Sequence, residues 1–221
     1  MRRVGLFGSA FNPPHRGHVR LVETAYEFLK LNEILFVPTR LPPHKPLEEI
    51  WGYEVRVLLA SVAFCLESPL EMKKRIEGLS SLKEKNLETF FSCYEEYYHP
   101  KKGWKLWEAE KEREGPSYTI DTLRIYHTSF PEDRVFLLIG QDQAMAFETW
   151  REYTEILRLA TVCVATRPGG GELPSLPFVR LPSFEEDVAS SRLRQAWKEG
   201  LPLSGLVPKP VEVLLALLVS Q

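Results

Sequence analysis

The sequence predicts a three-layer α/β domain, with a mainly parallel central sheet and an inserted helical hairpin, on three observations. Short apolar runs of strand length alternate with segments of helical spacing. The opening is a β-α-β unit, for which a parallel crossover is the default arrangement. One stretch, about residues 68–103, breaks that rhythm with Lys, Glu and clustered aromatics. At 221 residues the whole chain, 1–221, reads as one domain that carries this stretch as an insertion.

Each element follows from its own residues. Val4 to Phe7 is a short apolar run closed by Gly8, a first strand. From Gly17 onward Val19, Leu21, Val22, Ala25, Tyr26, Phe28 and Leu29 recur at helical spacing, and Ile34 to Val37, ended by Pro38, is a second strand. Residues 53–67 form an amphipathic helix. Within the insertion Leu87, Phe90, Phe91, Tyr94, Tyr97 and Tyr98 fall at three- and four-residue steps and make one apolar stripe, framed by breaks at Gly78 and at Pro100 to Gly103. Three uses suit such a stripe: a lid over a substrate, a contact with a second copy of the chain, or packing on its own domain. Residues 104–110 resume the strands, Gly115-Pro116 turns the chain, and a helix runs from Ser117 through His127. Arg134 to Gly140 is the strongest apolar strand; Glu152 to Leu159 is helix; Thr161 to Thr166 is strand; Arg167 to Pro174 is a glycine-rich loop. A last short strand covers 178–181, a helix 190–199 stops at Gly200 and Pro202, and VEVLLALLV closes the chain as a packed helix.

Composition narrows the function classes. Apolar residues make up 44% and charged residues 26%, and the formal net charge is -2, so no overall basic field points to nucleic acid. The terminal apolar run is well short of the ~20 residues a membrane span requires, and VGLFG is too short for a signal peptide's core. Cys65, Cys93 and Cys163 are odd in number and far apart, which suits reduced thiols in the cytoplasm.

The chemistry concentrates in GSAFNPPHRGH, residues 8–18. A strand end, a turn stiffened by Pro13-Pro14 and a helix start together make an anion site, where the positive end of the helix dipole favours phosphate. His15 and His18, three apart, share a face there and can donate to phosphate oxygens whose charge grows during displacement. The zinc-helix pattern needs a spacing of four with an internal glutamate, and neither a Walker loop nor a three-glycine dinucleotide motif occurs. Four further stretches follow in order. PPHKP (42–46) presents His44 and Lys45 after the second strand; EGPSYTIDTLR (114–124) opens a helix with Ser117, Tyr118 and Thr119, of which Ser117 or Thr119 also suits a cap. LLIGQDQAMAFETW ends a strand at Gly140, offers Asp142 to ribose hydroxyls and leads to Trp150. DVASSRLRQAW (187–197) starts a helix with Ser190 or Ser191 as cap and with Arg192 and Arg194 in its first turns.

GSAFNPPHRGH resembles the H-x-G-H motif of the nucleotidylyltransferase superfamily. With PPHK, GPSYTIDTL, IGQD and a later Trp, ATRPG and VASSRLR in that order, the chain resembles the bacterial nicotinate-nucleotide adenylyltransferase family over nearly its whole length apart from 68–103. The resemblance implies a Rossmann-like fold and adenylyl transfer from ATP to nicotinate mononucleotide, giving deamido-NAD and pyrophosphate. It implies Mg2+ carried on the ATP phosphates, with no protein side chain as metal ligand. His15, His18, Lys45 and Arg194 are then the catalytic set. Gly8, Ser9, Phe11, Gly140, Asp142, Arg167, Ser190 and Ser191 complete the ATP site; Asn12, His44, Lys45, Ser117, Tyr118, Thr119 and Trp150 form the nicotinate mononucleotide site. Nicotinamide mononucleotide, another phosphate-bearing acceptor such as phosphopantetheine, or a nucleotide-binding regulator without turnover are the competing readings. The partners expected are small molecules, with neither nucleic acid nor membrane, and a homo-oligomer through the insertion is an open expectation.

Overall fold

Strict alternation along each strand gives the sheet two buried faces. Phe7, Ile34, Phe36, Phe136, Leu138, Cys163 and Ala165 enter one apolar core, while Val4, Leu6, Leu35, Val37, Val135, Leu137, Ile139, Val162 and Val164 enter the other. Helices must cover both faces, so three layers follow. The computed structural model describes residues 1–43, 51–79, 82, 86–166, 171–184 and 188–218. Its strands are β1 (Arg3–Ser9), β2 (Glu33–Pro38), β3 (Trp104–Leu106), β4 (Arg134–Gly140), β5 (Thr161–Ala165) and β6 (Val179–Arg180). They pair in the order β3-β2-β1-β4-β5-β6, every pair parallel, in a Rossmann-like α/β fold.

The helices are α1 (Arg16–Phe28), α2 (Tyr53–Phe64), α3 (Pro69–Glu77), α4 (Glu88–Tyr97), α5 (Thr119–Ser129), α6 (Gln141–Met145), α7 (Tyr153–Leu159), α8 (Ser190–Lys198) and α9 (Lys209–Leu218). The first core collects side chains from α1, α2, α3, α4, α8 and α9, and the second from α5, α6 and α7.

Several elements depart from the sequence expectations for identifiable reasons. α2 stops at Phe64 because Cys65 adopts a left-handed φ of 53°. α6 and a 3-10 turn at Phe147–Thr149 fill a stretch in which no element is expected. β3 is only three residues, and its entry depends on Gly103, whose φ is +82°. A Cβ there would lie 2.3 Å from the Asn32 carbonyl oxygen, while the Gly103 carbonyl accepts the Ile34 N–H at 2.8 Å.

Among the described residues, the stretch 68–103 holds the helices α3 and α4, and both are sewn into the first core. Ser68 and Glu71 form a reciprocal capping box at the start of α3, and Met72 and Ile76 are buried. Phe90 and Tyr94 of the aromatic stripe are fully buried with their rings nearly parallel, 5.9 Å apart, and the Tyr94 hydroxyl donates to the Glu67 carbonyl at 2.6 Å. α4 packs along α9. Of the three uses suggested for the stripe, packing on the chain's own domain is the one these two residues serve.

Candidate active site

The strand order reverses between β1 and β4: from β1 the chain moves outward to β2 and β3, and from β4 outward to β5 and β6. In open α/β sheets a crevice forms beyond the carboxyl ends of the strands at such a point. A cavity of about 570 Å³ lies there, bordered by the ends of β1 and β4 and by the starts of α1, α5, α6 and α8. The first turns of α1, α5 and α8 bring positive dipole ends to one place, an arrangement suited to a polyanion.

The β1–α1 loop is held tightly. Ser9 Oγ accepts the Phe11 N–H at 3.4 Å, and Phe11 takes a left-handed φ of 49° with its ring fully buried, edge-on to Phe7. Asn12 is buried as well: its Oδ1 accepts the Trp51 N–H at 3.1 Å and its carbonyl accepts Arg194 Nη1 at 3.0 Å. Phe11 and Asn12, expected as ligand-binding side chains, thus also build the cavity wall. His15 is the N-cap of α1 rather than a residue of its first turn, and His18 is the third helical residue. Their rings nevertheless meet, stacked at 3.7 Å and 25°. The His15 backbone N–H donates to His18 Nδ1 at 3.2 Å, so that nitrogen is an acceptor and the neutral ring carries its proton on Nε2.

At the start of α5, the N-cap is Tyr118, not Ser117 or Thr119. Ser117 is buried, and its Oγ accepts the Leu41 N–H at 3.3 Å, a tertiary tie in place of a cap. Tyr118 and Thr119 both border the cavity. Trp150 does too, half-buried with its ring 5.2 Å from Phe147 and inclined by 39°. Gly140 caps α6, and a Cβ built on it would meet nothing within 4 Å; exposed Asp142 follows in the first turn.

At α8 the N-cap is Ala189, so the expected serine cap is absent. Ser190 Oγ instead donates to the Pro13 carbonyl at 3.1 Å, and Arg194 reaches the neighbouring Asn12 carbonyl. These two bonds fasten α8 to the histidine-bearing loop. Gly8 and Ser191 also line the cavity. Every expected site residue that is described therefore borders this one space except Arg192, which is exposed on α8 and is not part of the lining; His44, Lys45 and Arg167 lie outside the described residues.

The cavity also contains residues that no motif exposed. Glu110 is buried, with Oε1 accepting from Thr122 Oγ1 at 2.7 Å; Arg113 Nη1 donates to that hydroxyl at 3.2 Å and to the Tyr118 carbonyl at 3.3 Å. In the charged run WEAEKEREG nothing distinguishes Glu110 from its acidic neighbours. Arg151 also borders the cavity, its guanidinium carbon 4.9 Å from the Tyr118 ring centre and its Nη1 3.8 Å from Asp121. Among the described residues no group of three His, Cys, Asp or Glu side chains could hold a metal ion, and no helix is long and apolar enough to cross a membrane.

The family model described as Cytidylyltransferase-like matches residues 6–196. The chain is 34% identical over 216 residues to a protein of Halalkalibacterium halodurans named "Probable nicotinate-nucleotide adenylyltransferase", covering 96% of this chain and 87% of that one. It is 31% identical over 214 residues to the nicotinate-nucleotide adenylyltransferase of Bacillus subtilis (strain 168), with 96% and 94% covered. Among solved structures, Plasmodium falciparum nicotinic acid mononucleotide adenylyltransferase complexed with NaAD superposes with a TM-score of 0.71 over 98% of this chain and 95% of that one, at 13% identity, a likeness of fold.

Proposed function

The chain belongs to the cytidylyltransferase-like family and, within it, to the nicotinate-nucleotide adenylyltransferases, and from that premise we propose how its cavity carries adenylyl transfer in NAD biosynthesis. The substrates are ATP and nicotinate mononucleotide, and the products deamido-NAD and pyrophosphate. One observation carries the assignment of the site: three helix starts, the histidine pair and the reversal of strand order meet at one cavity.

In the reaction proposed, a 5′-phosphate oxygen of nicotinate mononucleotide attacks the α-phosphorus of ATP in line. A P–O bond forms to the acceptor as the bond from the α-phosphorus to the oxygen of the departing pyrophosphate breaks. The attacking phosphate is already anionic, so no general base is required, and no residue becomes adenylylated. Catalysis rests on positioning and on charge stabilisation. His18, with its proton on Nε2, donates to the α-phosphate; His15 and the α1 start hold the adjoining phosphates, with Gly8, Ser9 and Phe11 as the wall. From the sequence resemblance, Lys45 and Arg167 are assigned to the phosphates and His44 to the acceptor. Ser190, Ser191 and Arg194 receive the pyrophosphate. Asp142, after Gly140, binds the adenosine ribose.

For the acceptor, the first-turn amides at Tyr118 and Thr119 bind the nicotinate carboxylate, supported by Ser117 and Asn12, and the pyridine ring lies against Trp150. Mg2+ belongs to the proposal as well, as the sequence resemblance implies: carried on the triphosphate oxygens, it would offset their charge. The three separate cysteines support a cytoplasmic protein. Any self-association through the insertion is left to the stripe's half-buried members, Leu87, Phe91, Tyr97 and Tyr98.

The test is pyrophosphate release from ATP with Mg2+, comparing nicotinate mononucleotide, nicotinamide mononucleotide and 4′-phosphopantetheine at equal concentration. Strong preference for the first is expected. Preference for the nicotinamide compound would displace the carboxylate site at α5, and ATP binding without turnover on any acceptor would favour a regulator.

A further inference from the structure

Arg56, on α2, is the bulkiest fully buried side chain among the described residues, at 2% exposure; beside the Tyr53 ring, 5.7 Å from its guanidinium carbon, its four hydrogen-bond acceptors are all backbone carbonyls. Nε donates to Trp51 at 2.9 Å, Nη1 to Ala10 at 2.8 Å and to Thr39 at 2.6 Å, and Nη2 to Arg40 at 2.9 Å. Those carbonyls belong to three separate stretches: the β1–α1 loop, the end of β2, and the approach to α2. Ala10 and Thr39 both border the cavity. Burial pulls the guanidinium down to about 10, still well above neutrality, so a full charge lies behind the phosphate-facing loop. A buried charge is costly, and hydrophobic residues of similar volume usually serve a core as well or better, so its use here calls for a local reason.

The residues after β2 supply that reason. Thr39 N–H donates to the Ser9 carbonyl, and its own carbonyl accepts from Arg56. Arg40 N–H donates to Glu110 Oε2 at 3.3 Å, and its carbonyl also accepts from Arg56. Leu41 N–H donates to Ser117 Oγ, and its carbonyl accepts the Ser117 N–H at 2.8 Å. Every backbone donor and acceptor of Thr39, Arg40 and Leu41 is thus taken, by β1 on one side and by Arg56, Glu110 and Ser117 on the others. Trp51, held by Arg56 and by Asn12, also packs edge-on against Trp197 of α8, with ring centres 4.9 Å apart.

We propose that Arg56 is a positioning residue of this active site: its planar fork sets the β1–α1 loop, the end of β2 and Trp51 in register, and the alignment of the phosphate-binding and acceptor-binding walls depends on that fork rather than on the charge. Only a guanidinium can reach four carbonyls in this arrangement. A lysine has three donors on one nitrogen and keeps the charge without the fork.

The experiment compares Arg56→Lys, which retains the charge, with Arg56→Met, which removes it, at a temperature where thermal melts show the protein folded. The inference rests on the adenylyl-transfer reading for its kinetic arm. Both variants should lose roughly ten-fold or more in kcat/KM and agree within about three-fold, since small displacements of reacting groups are costly in rate. A residue that only supported the fold would leave kcat and both KM values of the folded fraction at wild type, and that result overturns the proposal. So does full rescue by lysine, which would assign the effect to charge. Arg56→Lys decides the matter alone if Arg56→Met does not fold. Amide hydrogen exchange gives a second arm independent of activity: exchange should accelerate at Arg40, Leu41 and Trp51 and stay unchanged in β4. Wild-type protection at those three amides refutes the proposal. Wild-type protein that does not turn over nicotinate mononucleotide would sink the functional reading, while the exchange arm would still decide the role of Arg56.

Discussion

His18, proposed above as the donor to the α-phosphate, has a ring whose orientation is fixed from three sides. Phe7 and Phe11 pack against it at ring-centre distances of 5.8 and 6.0 Å, His15 stacks on it, and the His15 amide claims Nδ1. A donor held this way costs little reorganisation as charge develops at phosphorus. For His18→Ala the expected loss in turnover is about 2.7–4 kcal/mol, the size found for a lost oxyanion donor. Steady-state kinetics beside a thermal melt checks this, and near-wild-type turnover would remove His18 from the mechanism. The pairing of the histidines was legible in the sequence because a turn with two prolines before a helix leaves them few places to go. That His15 caps the helix was not legible, since a cap is defined by backbone angles. Cys163 makes a separate residue-scale case. Burial pushes its thiol up to about 12 from an ordinary 9.0. The folded state therefore holds this proton more tightly than the unfolded chain, so its stabilising share is complete below the unfolded value and is lost as pH rises from about 9 toward 12. Denaturant titrations of Cys163→Ala across that window should show a flatter decline of stability with pH than the parent. Identical slopes would contradict the burial argument.

Among elements, the strands and long helices were written in apolar periodicity, and their limits were not. Every strand begins or ends within a few residues of the apolar run that announces it, with β6, at two residues, the shortest. α6 escaped notice because a five-residue helix has no room for a repeating apolar stripe. The caps of α5 and α8 were misplaced for a different reason. Serine is a favoured cap by propensity, but Ser117 and Ser190 spend their hydroxyls on Leu41 and Pro13, leaving Tyr118 and Ala189 at the cap positions. Such tertiary competition is invisible to local sequence. The same is true of Gly103, which the sequence marks only as a break, while the structure shows β3 entering the sheet through it. Gly103→Ala combines a left-handed backbone with a Cβ driven into the Asn32 carbonyl, so it should destabilise by more than about 1 kcal/mol and loosen the β2–β3 edge. Chemical denaturation measures the first effect, and amide exchange at Ile34, whose partner is the Gly103 carbonyl, measures the second. A variant with parental stability would mean that the edge shifts freely to accommodate the methyl group.

For the whole molecule, the central question is whether residues 68–103 are an appendage or part of the fold. The sequence showed where the stretch begins and what stripe it carries, but could not show against what that stripe packs, because the partner surface on α9 is more than a hundred residues away in the chain. In the structure α3 and α4 give Met72, Ile76, Phe90 and Tyr94 to the same core that Leu21, Val22, Leu214 and Leu215 enter from α1 and α9. A core residue of this kind cannot be removed without affecting the domain that carries the active site. Phe90→Ala should cost about 3–5 kcal/mol, the usual range for an aromatic deleted from a packed interior. That is a large share of the roughly 5–15 kcal/mol by which domains of this kind are stable. Unfolding should remain one cooperative transition, shifted to lower denaturant, when followed both by tryptophan fluorescence and by far-ultraviolet dichroism. Removal of residues 70–101 carries the argument further: it would uncover the face of α9 against which α4 packs, and it should yield aggregated or unfolded protein rather than a smaller active monomer. Light scattering with size-exclusion chromatography decides the point. A truncated chain that ran as a folded, soluble monomer would show the insertion to be dispensable and would return the aromatic stripe to the role of a lid or a contact surface.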